Sequence, residues 1–163
     1  MAEIIRPATR ADSERLNDIY NLTIVDSHVS FTVEPWTLEK RLVWWDERPD
    51  DLPALVAERD GLVIGLAVGS RFRPKAAYRT SVETTIVLDE GTRGRGLGTR
   101  LLGALVEELA ARGFHRAVAH IALPNDASIA LHHKLGYRTV GVLTEVGHKL
   151  GRFWDVATLE REL

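Results

Sequence analysis

The chain has 163 residues, 45% of them hydrophobic, with 21 basic and 23 acidic side chains and a formal net charge of −2. That length and apolar content suit a single domain over residues 1–163 with one core, and the balanced charge excludes any global attraction to nucleic acid. Cysteine is absent, so disulfide and thiolate chemistry are excluded, and the six histidines show no H-x-x-x-H or H-E-x-x-H pair, so no metal is expected. The amino terminus lacks a charged segment followed by an apolar one, and no apolar run spans a bilayer, so the expectation is a cytoplasmic protein without a membrane partner.

Residues 3–6 read as a short strand stopped by Pro7, and Thr9-x-x-Asp12 resembles a capping box opening a helix. Leu16, Ile19, Tyr20 and Ile24 then fall on one apolar face. Residues 26–36 mix Ser27, Ser30, Thr32 and Pro35 with Val29, Phe31 and Val33 without a clean period, and are either a substrate loop or a plain connection. Thr37 is an N-cap for a helix aligning Leu38, Leu42 and Trp45, with Trp44 and Trp45 read as packing groups. Strands follow at 54–58 and 62–72 around an Asp60-Gly61 hairpin turn, and then a basic loop at 73–80.

Ser81–Leu88 alternates, with Val82, Thr84, Ile86 and Leu88 on one face and Ser81, Glu83, Thr85 and Val87 on the other. The strongest helical stripe in the chain is Leu97, Leu101, Leu102, Leu105, Val106 and Leu109, closed by Gly113. Residues 117–122 make the next strand, which implies a right-handed parallel crossover. Asn125 caps a helix containing Ile129, Leu131, His132 and Leu135, residues 137–143 form a strand, and a turn around 147–151 leads to a last strand at 153–160. The fold class is α/β: a mixed sheet of about seven strands with four helices, antiparallel in its first half.

Between the alternating strand and the leucine-striped helix lie Thr92-Arg93-Gly94-Arg95-Gly96-Leu97-Gly98-Thr99. Glycines bring backbone N–H groups close to a ligand, and the helix beginning there adds the positive end of its dipole, so the stretch reads as an anion site. The dinucleotide fingerprint needs a third glycine at Thr99 or Leu101, and the phosphate-binding P-loop needs a lysine at Leu97. The spacing R-x-x-G-x-G remains. It resembles the pyrophosphate loop of the GNAT acetyltransferase superfamily.

Four further segments strengthen that resemblance: Val82-Glu83, Leu123-Pro124-Asn125-Asp126-Ala127-Ser128, Leu131-His132 with Leu135-Gly136-Tyr137, and Gly147-His148-Lys149-Leu150-Gly151-Arg152-Phe153-Trp154-Asp155. Together they are similar to the phosphinothricin and methionine sulfoximine N-acetyltransferase family. The resemblance implies a GNAT-like sheet with a parallel strand, loop, helix and strand as its acetyl-CoA core. It also implies acetyl-CoA as cosubstrate, a small amino-acid-like amine as acceptor and a homodimer.

An α-amino group, with an ordinary pKa near about 8, is mostly protonated at pH 7 and must lose a proton before it attacks a thioester. Glu83 matches the family's catalytic glutamate; the bland alternative is a strand carboxylate paired with Arg79. His132 matches the position from which an acid or hydrogen-bond donor meets the leaving thiolate, and is otherwise a half-buried histidine satisfied by backbone. Ile86, Val87 and Leu88 are expected to pair with the pantetheine amides, Arg93, Gly94, Arg95, Gly96, Leu97, Gly98 and Thr99 to hold pyrophosphate, and Asn125 and Ser128 to touch the pantetheine arm. Phe31, Arg73, Tyr78, Arg79 and Lys149 are the acceptor-side candidates, with Arg73, Arg79 or Lys149 as the cation for a carboxylate. The family commonly has an aromatic residue where Val87 stands, so the pocket beside the acetyl group departs from the pattern. Competing readings are a protein amino-terminal or lysine acetyltransferase and a noncatalytic acyl-CoA-binding module.

Overall fold

The computed structural model describes residues 3–92 and 94–163. Among them the chain forms one seven-stranded sheet, four α-helices and two short 3-10 turns. β1 (Glu3–Pro7) leads through a 3-10 turn at Arg10–Asp12 into α1 (Ser13–Val25). The Asp12 carboxylate accepts from the Thr9 N–H at 2.7 Å and pairs with Arg6 at 2.8 Å, so the expected box closes the turn just ahead of the helix. α1 buries Leu16, Ile19 and Ile24, the face its spacing predicts.

α2 (Leu38–Asp46) begins at Thr37, whose hydroxyl accepts from the Lys40 N–H at 3.2 Å. Its inward face differs from expectation. Leu38 is exposed, Leu42 and Trp45 are half-buried, and the buried residue of the helix is Arg41. The cause is aromatic: the Arg41 guanidinium lies 4.4 Å from the ring centres of Tyr20 and Trp36 and 5.0 Å from that of Trp44. Three π-faces stand in for the carboxylate that a buried cation ordinarily needs.

β2 (Ala54–Arg59) and β3 (Leu62–Arg71) turn at Asp60-Gly61, where φ is 52° and 81°, the pair of positive values that a tight hairpin requires. β4 (Ser81–Leu88), α3 (Leu97–Ala111) and β5 (Arg116–Ala122) make the expected crossover, with β4 and β5 parallel. α4 (Asp126–Lys134) precedes a long hairpin of β6 (Arg138–Lys149) and β7 (Arg152–Glu162). The strand order is β1-β2-β3-β4-β5-β7-β6.

The hairpin corrects the expected turn at 147–151. β6 continues to Lys149, and the reversal is confined to Leu150 and Gly151, with φ of 54° and 72°. Gly147 and Lys149 point inward and His148 outward, a strand's alternation inside a glycine-rich segment that reads locally as a turn. Register shifts after Thr139 and after Leu143 bulge the strand.

Two apolar clusters cover the two faces of the sheet. The larger joins α3, through Leu97, Leu101, Leu102, Leu105 and Leu109, to Ala57, Ile64, Ala67, Val82 and Leu159. The smaller joins Leu16 and Ile19 of α1 to Val56, Val63, Leu66 and Val68. Neighbouring residues such as Val56 and Ala57 serve opposite clusters because side chains alternate along a strand. Each fully buried leucine contributes roughly 1.5–3 kcal/mol, so the α3 row fixes where that helix begins. Its start lies directly after the glycine loop.

Candidate active site

β4 is paired with β3 from Val82 to Leu88, but its parallel register with β5 covers only Ser81, Val82 and Glu83. Beyond Glu83 the two strands separate. Ile86, Val87 and Leu88 therefore run along an edge whose backbone groups find no partner in the β5 register, and an extended ligand with its own amides can satisfy them.

The slit opens toward the glycine loop. Gly94 and Gly96 have φ of 80° and 75°, and a Cβ added at either would meet nothing within 4 Å, so the cradle is open as well as conformationally reserved for glycine. Gly96 is the N-cap of α3 and brings no side-chain cap. The leading N–H groups of the helix, from Leu97, Gly98 and Thr99, are left for an anion, with the dipole behind them. The Leu97 side chain is buried in the core and offers only its backbone. Gly98 is a packing residue, since a Cβ there would lie 3.3 Å from Leu131 and from Leu88. It brings α4 and the end of β4 against the start of α3. Arg95 is exposed beside the loop, and Arg93 lies outside the described residues. An unpaired strand edge running to an uncapped helix start fits an extended carrier with amides in its arm and phosphate at its end.

Glu83 is half-buried at the point where β4 and β5 part. Among the described residues its carboxylate enters no ion pair, and the alternative partner Arg79 does not meet it. Next to it, buried Thr84 shares a 2.8 Å hydrogen bond with the Tyr137 hydroxyl. The Tyr137 ring meets His132 edge-on at 5.0 Å.

His132 is buried, with Nδ1 2.7 Å from the Ser128 carbonyl oxygen. A carbonyl only accepts, so Nδ1 carries the proton and Nε2 presents a lone pair. Burial pushes the imidazole pKa below its ordinary value, and the Ser128 carbonyl opposes that shift. The neutral ring is thus the native form at pH 7, and a proton delivered from His132 would have to come from an imidazolium that the site disfavours. Because the native pKa is the lower one, the unfolded chain takes up the proton first. Stability is full above the ordinary value of about 6.5 and declines as pH falls through it toward the native value. A pH series of thermal melts checks this: His132→Phe should flatten the decline below about pH 6.5 relative to the unsubstituted chain.

Asn125 Oδ1 accepts from the Ser128 N–H at 3.3 Å, so the pair caps α4 and orients the carbonyl that holds His132. The three cations separate. Arg73 and Arg79 are exposed and, among the described residues, form no ion pair; Arg73 lies 5.2 Å from the Phe72 ring, which meets exposed Tyr78 edge-on at 5.6 Å. Lys149 is buried, and its Nζ donates to the carbonyls of Ser27 and Ser30 at 2.7 and 2.6 Å. Phe31 packs over Gly147 on the same hairpin. A cavity of about 120 Å³ runs from Ile19, Leu22 and Thr23 of α1 past Ser27 and Val29 to Leu88 and Glu90. A larger one, about 290 Å³, lies between Pro7, Trp45, Arg48, Glu108 and Arg112, and no candidate for the chemistry lines it. Among the described residues no three His, Asp or Glu side chains group to hold a metal ion, and no helix is long and apolar enough to cross a membrane.

Two features escaped sequence reasoning. The Thr84–Tyr137 bond was signalled by a hydroxyl on a strand face otherwise lined by Val82, Ile86 and Leu88. The stacking of His28 on Trp154, at 4.3 Å and 12°, joins residues 126 positions apart in the chain and had no local signal.

A slit between diverging parallel strands, ending at an uncapped helix, defines a class of site: one that receives an extended anionic carrier. The profile of the Acetyltransferase (GNAT) family matches residues 16–137, and the chain belongs to that family. It is an N-acetyltransferase with acetyl-CoA as cosubstrate. A phosphinothricin N-acetyltransferase of Streptomyces coelicolor is 44% identical over 98% of this chain and 95% of its own length. An L-methionine sulfoximine/L-methionine sulfone acetyltransferase of Pseudomonas aeruginosa is 36% identical over 100% of this chain and 96% of its own. Among solved structures, a GNAT superfamily phosphinothricin acetyltransferase of Sinorhizobium meliloti in complex with acetyl-CoA superposes with a TM-score of 0.95 at 33% identity, covering 100% of this chain and 89% of that one.

Proposed function

We propose that this single domain moves the acetyl group of acetyl-CoA onto the α-amino group of a small amino-acid-like substrate of the phosphinothricin or methionine sulfoximine type. The amine attacks the thioester carbonyl directly. The C–N bond forms and the C–S bond breaks; of the two protons that the ammonium nitrogen loses on its way to the amide, one leaves through the base to solvent and the other ends on the departing thiolate.

The observation that carries this reading is Glu83: a half-buried carboxylate without an ionic partner among the described residues, where the strands part and the carrier's slit begins. Such a group is available to take the ammonium proton, directly or through a water. The backbone of Ile86, Val87 and Leu88 holds the pantetheine amides, and an N–H there faces the developing oxyanion. The cradle from Gly94 to Thr99 holds the pyrophosphate, and Asn125 and Ser128 shape the end of α4 beside the arm. His132 serves with Nε2 as an acceptor rather than as an acid, because its single proton is committed to Ser128. Exposed Arg73 or Arg79 meets the substrate carboxylate, with Tyr78 and Phe31 as apolar walls.

The chain works in the cytoplasm as a homodimer. β6 supports the dimer, since it is an edge strand with Val140, Val142, Leu143 and Val146 all exposed, a surface that a monomer would leave open to aggregation.

The test is thiol release from acetyl-CoA with purified protein and a panel containing phosphinothricin, methionine sulfoximine, methionine sulfone, the common amino acids and short peptides with free amino termini. Turnover is expected on the first three. Turnover confined to peptides would transfer the activity to protein amino termini, and absence of turnover on every amine would overturn the proposal.

A further inference from the structure

The motif from Gly147 to Asp155 is prominent in the sequence, yet none of its side chains has a place in the chemistry above. Its contacts show what it holds. The Lys149 ammonium is buried at 5% exposure, pairs with no carboxylate among the described residues, and spends two donors on the Ser27 and Ser30 carbonyls. Burial lowers its pKa, the mark of a cation with no anion to offset desolvation. Ser27 and Ser30 lie in the irregular connection between α1 and α2, where no helix or strand satisfies their carbonyls.

Three more contacts join the same two segments. A Cβ on Gly147 would sit 2.2 Å from the Phe31 ring, so the glycine is the floor on which Phe31 rests. His28 stacks on Trp154 and donates through Nε2 to the Pro124 carbonyl at 2.7 Å. Trp154 in turn donates from Nε1 to the Lys149 carbonyl at 2.8 Å and carries the Arg152 guanidinium 4.2 Å from its ring centre. The connection thus held lines the cavity that reaches Leu88, through Ser27 and Val29.

We infer that Lys149 is a positioning residue: by binding the Ser27 and Ser30 carbonyls it fixes residues 27–31 as a wall of the acceptor-amine site, and it does not itself bind the substrate carboxylate. The inference rests on the acceptor reading above and separates Lys149 from Arg73 and Arg79. An ammonium suits this task because its three donors diverge, so one side chain can gather two carbonyls from a turn of irregular backbone.

The experiment compares Lys149→Met with the unsubstituted chain on the best amino-acid acceptor of the panel and on its carboxamide, alongside hydrogen exchange of the amides from Ser27 to Thr32. Lys149→Met should raise KM for acid and carboxamide by the same factor, about tenfold or more, and leave KM for acetyl-CoA within about twofold. Exchange at residues 27–32 should quicken by about tenfold or more. Gly147→Ala displaces Phe31 without touching the ammonium and should raise both acceptor KM values likewise, which keeps the test open if Lys149→Met does not fold. A rise in KM confined to the acid would make Lys149 the carboxylate's partner and overturn the inference. Unchanged exchange, or faster exchange with unchanged acceptor KM, would overturn it too. Failure of the unsubstituted chain on every amine would refute the function proposed above, whereas the exchange comparison would still judge the Lys149 lock.

Discussion

Glu83→Gln should lower kcat/KM for the amine by about 10²- to 10⁴-fold, the range associated with loss of a positioned general base. Affinity for acetyl-CoA should stay within about twofold, because glutamine has the same shape and Glu83 lies at the mouth of the slit rather than along the Ile86–Leu88 edge. The residual activity should climb with pH, roughly tenfold per unit, until the free amine near pKa about 8 no longer needs a base. Steady-state kinetics from pH 6 to 9 with isothermal titration of acetyl-CoA would read both quantities. An unchanged rate would remove Glu83 from the chemistry, and lost affinity would make it a binding residue. A noncatalytic acyl-CoA-binding module would show no turnover with either side chain.

Gly96→Val should raise KM for acetyl-CoA by about 10- to 100-fold while leaving the amine KM nearly unchanged at saturating cosubstrate. The position has φ of 75°, which a β-branched residue adopts only under strain, and it is the uncapped entrance to α3. A side chain there either drives the backbone out of the left-handed region, turning the first N–H groups of α3 aside, or stays and stands over the anion's approach. Gly61→Val is a matched control, since Gly61 has φ of 81° and equally open surroundings but lies in the β2–β3 turn. Both variants should lose a similar, small amount of thermal stability, and only Gly96→Val should lose acetyl-CoA. Equal KM values for the two would detach the glycine loop from cosubstrate binding.

Most of the scaffold was legible because it is written in local periodicities. The Leu97–Leu109 stripe, the alternation in Ser81–Leu88 and the Asp60-Gly61 turn each determine an element within a few residues, and the structure has them where the spacing puts them. The glycine loop was legible for the same reason, since backbone conformation and helix start are both local. What the sequence hid is long-range partnership. Arg41 carries a charge that argues for the surface, and it is buried because Tyr20, Trp36 and Trp44 converge on its guanidinium. Lys149 is one of three candidate cations for a carboxylate in the sequence, and nothing local signals its contacts with the Ser27 and Ser30 carbonyls, more than a hundred residues away. The reversal at Leu150-Gly151 lies within the expected 147–151 but is narrower, because Gly147 belongs to the strand and makes room for Phe31 rather than turning the chain.

The parting of β4 from β5 after Glu83 bears on how the domain holds together as well as on what it binds. Through the sheet alone, the meander β1–β4 and the trio β5, β7, β6 are joined along only three residues of parallel register, so the sheet resembles a seam left partly unstitched. With the pantetheine arm lying in the opening as proposed, the cosubstrate is mortar between two half-sheets. Its grip on the folded chain adds about 2.7 kcal/mol at a hundred times its Kd, which makes the midpoint of unfolding a gauge of how much acetyl-CoA is present.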